Sequence, residues 1–199
     1  MREIIRMIVV LAFIGGASGL FLSGVRQGTK ERRKLQILTY VQGPAIKSVL
    51  AGAENDPILD RKEIKLEATK GPLVLDIFPA KREGRLWAVA LETKGKGYGG
   101  DLGVIVGIDI KSNSLIGIGI TTHKETPGLG ARVSEEGFQN EFKDISLDTE
   151  AKVTADGGSV DAISGATMSS RGVCEAVNKG VDLFKKNREL ILEELVGMR

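Results

Sequence analysis

Thr167 closes the run Asp161-Ala-Ile-Ser-Gly-Ala-Thr and is followed by Met168, Ser169 and Ser170. Gly165 and Ala166 keep bulk away from the neighbouring hydroxyls, so a ligand can come close to the backbone. An amphipathic helix follows, its start placed near Ser170, with apolar positions at Val173, Ala176, Val177, Val181 and Phe184. Unpaired N–H groups and the positive end of a helix dipole suit a phosphate at such a turn. Thr167 supplies a hydroxyl oxygen that can be esterified. The same residues also fit a plain helix start in which Ser169 or Ser170 is the capping hydroxyl. On residue chemistry alone both readings stand.

Two glycine-rich segments lie upstream. Gly95-Lys-Gly-Tyr-Gly-Gly100 satisfies GxGxxG, but a dinucleotide site needs a helix to begin there, and an apolar strand pattern follows instead. The plain reading is a glycine-rich β-connection with Tyr98 packing beside it. His123 to Val133, "HKETPGLGARV", carries a turn in which Pro127 fixes φ while Gly128 and Gly130 permit conformations closed to other residues. Such a loop can bring backbone N–H groups to a ligand or can be a surface turn. His123 has no evident acidic partner and reads as a solvated loop residue.

The elements that must position these segments are mostly short strands: Leu73–Phe78, Leu86–Thr93, Val104–Ile110 and Leu115–Thr122. Val104, Val106, Ile108 and Ile110 alternate onto one face of the third, as do Ile116, Ile118 and Ile120 in the fourth. Gly117 and Gly119 leave the other face of that strand bare, and "KSNS" makes a four-residue hairpin connection. Ser134 to Phe142 reads as a short helix. Lys34 to Leu50 predicts a helix disturbed at Gly43-Pro44, and Ala51 to Gly71 a polar connection. The order argues for an α+β domain with a mainly antiparallel sheet and flanking helices.

Met7 to Val25 holds 19 residues without a charge, nearly long enough as a helix for a ~30 Å hydrocarbon core. A cleaved signal peptide is the alternative, but the apolar run extends past Ala17-Ser18-Gly19, the small-residue site, which favours a retained anchor. Arg26, Lys30, Arg32 and Arg33 after the span favour a cytoplasmic domain by the positive-inside rule. Long domains can translocate despite such charges, so orientation stays open. The expected organisation is an anchor at 1–28, a helical and polar connection at 29–70 and one domain at 71–199.

Composition narrows the chemistry. With one cysteine, Cys174, and one histidine, His123, the chain supplies no intramolecular disulfide, no cysteine cluster and no multi-histidine metal site. A net charge of +2 gives no basis for nucleic-acid binding. Any redox chemistry here must come from an organic cofactor.

Asp-x-x-Ser-Gly-Ala-Thr at 161–167, with "GYGG" at 97–100 and "HKETPGLG" at 123–130 in that order, resembles the FMN-binding domain family of the Rnf complex and of sodium-pumping NADH:quinone oxidoreductase. The resemblance covers about residues 70 to 185 and a similar N-terminal membrane helix, and the compact length is closer to the Rnf subunit than to its sodium-pump counterpart. It implies FMN bonded through a phosphoester to Thr167 by a dedicated flavin transferase. The implied cofactor contacts are Ser164, Gly165, Ala166, Ser169, Tyr98, Gly99, Glu125, Thr126, Pro127, Gly128 and Leu129, and the glycine-faced hairpin and the Thr126–Gly130 loop are candidate walls beside the ring. It further implies an electron-transfer subunit of an Rnf-type ion-translocating ferredoxin:NAD oxidoreductase, held in the cytoplasmic membrane with its domain on the extracytoplasmic side. Partners would be the other membrane subunits, and no catalytic residue is assigned. A flavinylated donor to another extracytoplasmic reductase and an anchored assembly module without flavin are the alternatives.

Overall fold

A computed structural model describes residues 1–29, 32–33, 36–68 and 71–197. It divides into two compact units, Met1–Thr39 and Tyr40–Arg199. The first is dominated by helix α1, Arg2–Gly28, whose most apolar window has a mean hydropathy of 2.2 and no buried residue. At about 1.5 Å per residue, 27 residues span roughly 40 Å, enough by length and composition to cross a bilayer.

A π-helical turn, Ile37–Gln42, leads into α2, Gly43–Val49. The break falls at Gly43-Pro44, as the sequence predicts, because proline in a helix's first turn forfeits an N–H that has no partner there anyway. Lys34 and Leu35, which the sequence pattern assigns to the same helix, lie outside the described residues.

The second unit is built on a five-stranded antiparallel meander: β1 Lys62–Ala68, β2 Gly71–Arg82, β3 Arg85–Lys96, β4 Asp101–Asp109 and β5 Ser114–Thr122. Leu91 faces Val106 and Val106 faces Ile118 across neighbouring strands, which aligns the apolar rows on one face. β1 falls inside the stretch expected to be a polar connection. Only Ile64 and Leu66 alternate there among Lys62, Glu63, Lys65 and Glu67, yet both are buried against the core. The β4–β5 connection runs through Ile110 to Asn113, one residue earlier than expected, where Asp109 Oδ1 accepts the N–H groups of Lys111 and Ser112.

Both faces of the sheet are covered. Helix α4, Thr167–Lys186, lays Val173, Ala176, Val177, Val181 and Phe184 on one face, in a core shared with Val89, Leu91, Val104 and Val106. Helix α2 lies on the other. A Cβ at Gly107 would overlap Val49 Cγ1, and one at Gly119 would lie 2.9 Å from Ala45 Cβ. The glycine face of the hairpin, bare in sequence and a candidate wall beside the ring by resemblance, is therefore the seat of a helix.

Helix α3, Glu136–Asn140, falls within the expected short helical stretch, after a 3-10 turn at Gly130–Ser134 that was not expected, with Phe138 and Phe142 edge to face at 5.5 Å. A further helix, α5 at Arg188–Val196, follows α4 through Asn187. Buried Asn187 accepts the Glu67 N–H and donates to the Glu67 and Leu183 carbonyls, tying β1 to this joint.

Candidate functional site

Helix α4 begins at Thr167, three residues before the position the sequence suggested. Ala166 is its N-cap and no side chain caps it, so the reading of Ser169 or Ser170 as the cap is overturned. Ser170 is instead a buried tie: its Oγ accepts the Ile163 N–H and donates to the Ala166 carbonyl, both at 3.1 Å. The incoming chain is thereby folded back over the helix's first turn. Gly165 makes the reversal at φ +77°, a conformation that would strain any residue with a side chain. Ser164 and Gly165 stay exposed, Ala166 is buried and Thr167 is half-buried at the helix start.

The three segments flagged by type and spacing converge here. Glu125 is 6% exposed. Its Oε1 accepts the Gly99 N–H at 2.9 Å and its Oε2 accepts the Ser169 hydroxyl at 2.5 Å. One side chain so joins the Gly97–Gly100 loop, the 125–130 loop and the first turn of α4. Leu129 Cδ2 lies 3.4 Å from where a Gly165 Cβ would stand, so the second loop also touches the turn before Thr167.

The Gly97–Gly100 loop connects β3 to β4 and is closed by the Gly97 N–H donating to the Gly100 carbonyl at 2.8 Å. A strand follows it, in keeping with the absence of a dinucleotide fingerprint. Tyr98 is 79% exposed and packs no core, contrary to the plain reading of that loop. The 125–130 loop is closed by Leu129 and Ala131 N–H groups on the Thr126 carbonyl, with Thr126, Pro127, Gly128 and Leu129 exposed. His123 is exposed, and its Nδ1 accepts the Glu125 N–H at 3.4 Å.

Sequence reasoning missed the roles of four residues. Ser170 holds the turn, Gly97 and Gly130 close on the Glu125 carboxylate, and exposed Met168 adds an apolar surface next to Thr167. A serine pair inside the motif hints at the first; nothing local hints at the second.

Beyond the turn, Arg171 grips Asp156 through Nε at 2.7 Å and Nη2 at 2.6 Å. The Arg171 hydrogen bond holds the Asp156 carboxyl below its ordinary range and raises Arg171 in return. Burial pushes the Cys174 thiol up to about 11, so it is a neutral packing group in α4.

This arrangement suits FMN. The uncapped first turn of α4 offers N–H donors for a phosphate beside an esterifiable hydroxyl. Tyr98, Leu129 and Met168, carried by the three joined segments, expose apolar surface for a flat ring. Among the described residues no group of three or more His, Cys, Asp and Glu side chains is placed to hold a metal.

Comparison with known proteins agrees. The FMN-binding domain family model matches residues 97–182, which takes in all three segments. The G subunit of the ion-translocating oxidoreductase complex of Methanosarcina acetivorans is 30% identical over 181 residues, covering 91% of this chain and 94% of that protein. Its namesake in Cereibacter sphaeroides is 32% identical over 148 residues, 71% of this chain and 66% of its own length. The crystal structure of Shewanella oneidensis NqrC superposes with a TM-score of 0.51 at 25% identity, over 73% of this chain and 72% of that one. On the near full-length match to the Methanosarcina protein, and the FMN-binding domain within it, the chain belongs to the family of G subunits of ion-translocating oxidoreductase complexes.

Proposed function

We propose that the protein is a membrane-anchored electron-transfer subunit of an Rnf-type complex, carrying FMN as a phosphoester on Thr167. The observation that carries the reading is the convergence of the Gly97–Gly100 loop, the 125–130 loop and the Thr167 turn on one buried carboxylate. FMN, when bound, exchanges electrons singly or in pairs and so can link one-electron to two-electron carriers. What the chain does is narrower. Thr167 offers Oγ as the attachment point, and the first-turn N–H groups of α4 offset charge on the phosphate. Tyr98, Leu129 and Met168 provide faces and edges on which the ring can rest.

Forming the ester from free FMN would release water and is uphill in water. The donor must therefore hold FMN behind a phosphoanhydride, as a flavin dinucleotide does, and a flavin transferase supplies the catalytic groups absent from this site. Thr167 Oγ bonds to the phosphorus as the anhydride bond breaks, and the hydroxyl proton ends on the departing nucleotide. Oxidation of ferredoxin and reduction of NAD belong to other subunits in this reading, since the chain brings no cysteine cluster and no dinucleotide fingerprint. In this reading helix α1, long and apolar enough to cross a bilayer, anchors the protein in the cytoplasmic membrane, and the flavin domain lies on the extracytoplasmic side.

The test is covalent flavin itself. Full-length protein made with a co-expressed flavin transferase should fluoresce in a denaturing gel and gain the mass of one FMN ester. Thr167→Ala should be dark and unshifted. A wild type that is dark and unmodified would sink the proposal.

A further inference from the structure

Among the described residues Glu125 is the only buried acidic residue. A buried carboxylate is costly unless its oxygens are taken by donors. Both are: Oε1 by the Gly99 N–H, Oε2 by the Ser169 hydroxyl. Gly97 and Gly130 complete the enclosure. A Cβ at Gly97 would overlap Oε1 and lie 3.0 Å from Leu102 Cδ1. One at Gly130 would overlap Oε2 and lie 2.7 Å from Ser169 Oγ and 2.9 Å from Glu125 Cβ. Neither glycine has the left-handed φ that would explain its type. The carboxylate explains both.

A side chain so committed within the protein is poorly placed to bind a flavin directly. We propose that Glu125 is a positioning residue: a latch that fixes the first turn of α4, and with it the Thr167 hydroxyl, for phosphoryl transfer. This inference rests on Thr167 being the attachment point. Ser169 is two residues beyond Thr167 in the same turn, so its bond to Oε2 sets how that turn is rotated. Gly99 sets where the Tyr98 loop stands against it. Reaction rates depend steeply on how well an attacking oxygen is held, since a misplacement of about 1 Å can cost on the order of a hundredfold. In the transfer the Thr167 Oγ–H bond breaks, Oγ–P forms and the donor's anhydride P–O bond breaks, its leaving group taking the electron pair and then the proton. Glu125 keeps its bonds to Gly99 and Ser169 throughout and moves no proton.

The experiment uses unmodified full-length protein in detergent, treated with purified flavin transferase and a flavin dinucleotide. The initial rate of covalent fluorescence and the thermal midpoint are read on the same samples. Glu125→Ala and Gly130→Ala should slow attachment by about tenfold or more, the factor expected for losing a hydrogen bond to a charged group. Ser169→Ala should slow it several-fold. Glu125→Gln should stay within about threefold of wild type, because its amide oxygen can accept from Gly99 while its NH2 donates to Ser169 Oγ. Leu66→Ala, a core change in β1, should lower the midpoint yet leave attachment at the wild-type rate.

Glu125→Ala at the wild-type rate would overturn the latch. So would Glu125→Gln as slow as Glu125→Ala, or Leu66→Ala slowed equally at a matched midpoint loss. Should Glu125→Ala fail to fold, Ser169→Ala at the wild-type rate overturns it as well. A wild type that accepts no flavin fails the Thr167 attachment itself, whereas a bright wild type with unaffected variants fails only the latch.

Discussion

Gly95→Ala adds one methyl group at a place where nothing can rotate away. A Cβ on Gly95 would overlap the Gly172 carbonyl oxygen and lie 2.8 Å from its carbon and 3.0 Å from Ala176 N. All three atoms are backbone of α4. The reciprocal approach is equally tight: a Cβ on Gly172 would lie 2.6 Å from the Lys96 carbonyl oxygen. To regain ordinary contact the helix must retreat from β3 by on the order of 1 Å or more. The buried Thr93 hydroxyl, which donates to the Ala176 carbonyl at 2.7 Å, loses its partner in that retreat. So does the Lys96 N–H, held by Glu175 Oε2 at 2.9 Å. Overpacking costs about 1–3 kcal/mol and an unpartnered buried polar group about 1–3 more, so a loss of roughly 2–6 kcal/mol is expected. For a domain of this size that corresponds to roughly 4–24 °C in Tm. Thermal unfolding followed by tryptophan fluorescence reads it directly. The control is Gly137→Ala in α3, with nothing within 4 Å of its Cβ, which should be neutral or slightly stabilising. A Gly95→Ala midpoint within about 2 °C of wild type would refute the claim that α4 rests directly on β3.

Two further outcomes follow from the charges and the thiol beside α4. Asp156→Asn should lower Tm at neutral pH, and the gap to wild type should close as pH falls. The Asp156 carboxyl is held below its ordinary 3.8 by Arg171, so its contribution is present above that value and disappears as it protonates; a pH-independent gap would contradict the pairing. The Cys174 thiol, raised by burial to about 11, should resist iodoacetamide at pH 8 in the folded protein and react on unfolding. Rapid labelling of the native state would show α4 lifting from the sheet.

Strand alternation made four of the five strands and the antiparallel class legible, because β4 and β5 bury continuous apolar rows. β1 was not legible, since two apolar residues among charges are a weak period. Glycine was the least informative residue. Gly119 and Gly95 look alike in sequence, yet one seats α2 on the sheet and the other lets α4 approach the β3 backbone. A missing Cβ announces a close approach but never says what approaches. Glu125 shows the same gap for a polar group. Its type and loop were visible, but its partners sit 26 and 44 residues away, and only folding brings them to its two oxygens.

The exposure of the apolar residues around the proposed attachment bears on why a covalent link would be used. A freely exchanging ligand is usually held in a concave pocket that buries about 70–90% of its surface. Tyr98, Leu129 and Met168 are 79%, 49% and 50% exposed, so none of them offers the enclosure that retains a freely exchanging ligand. A tether at Thr167, as proposed, would remove that demand, because a ring joined through its phosphate would meet these residues at an effective concentration in the millimolar range. Weak contacts then suffice, and the ring remains free to face a partner. The consequence is checkable: Thr167→Ala protein incubated with free FMN should lose it on gel filtration, while folding with the wild-type Tm. Retention of stoichiometric FMN by that variant would mean the loops form a true pocket, and that the ester serves some purpose other than holding the flavin.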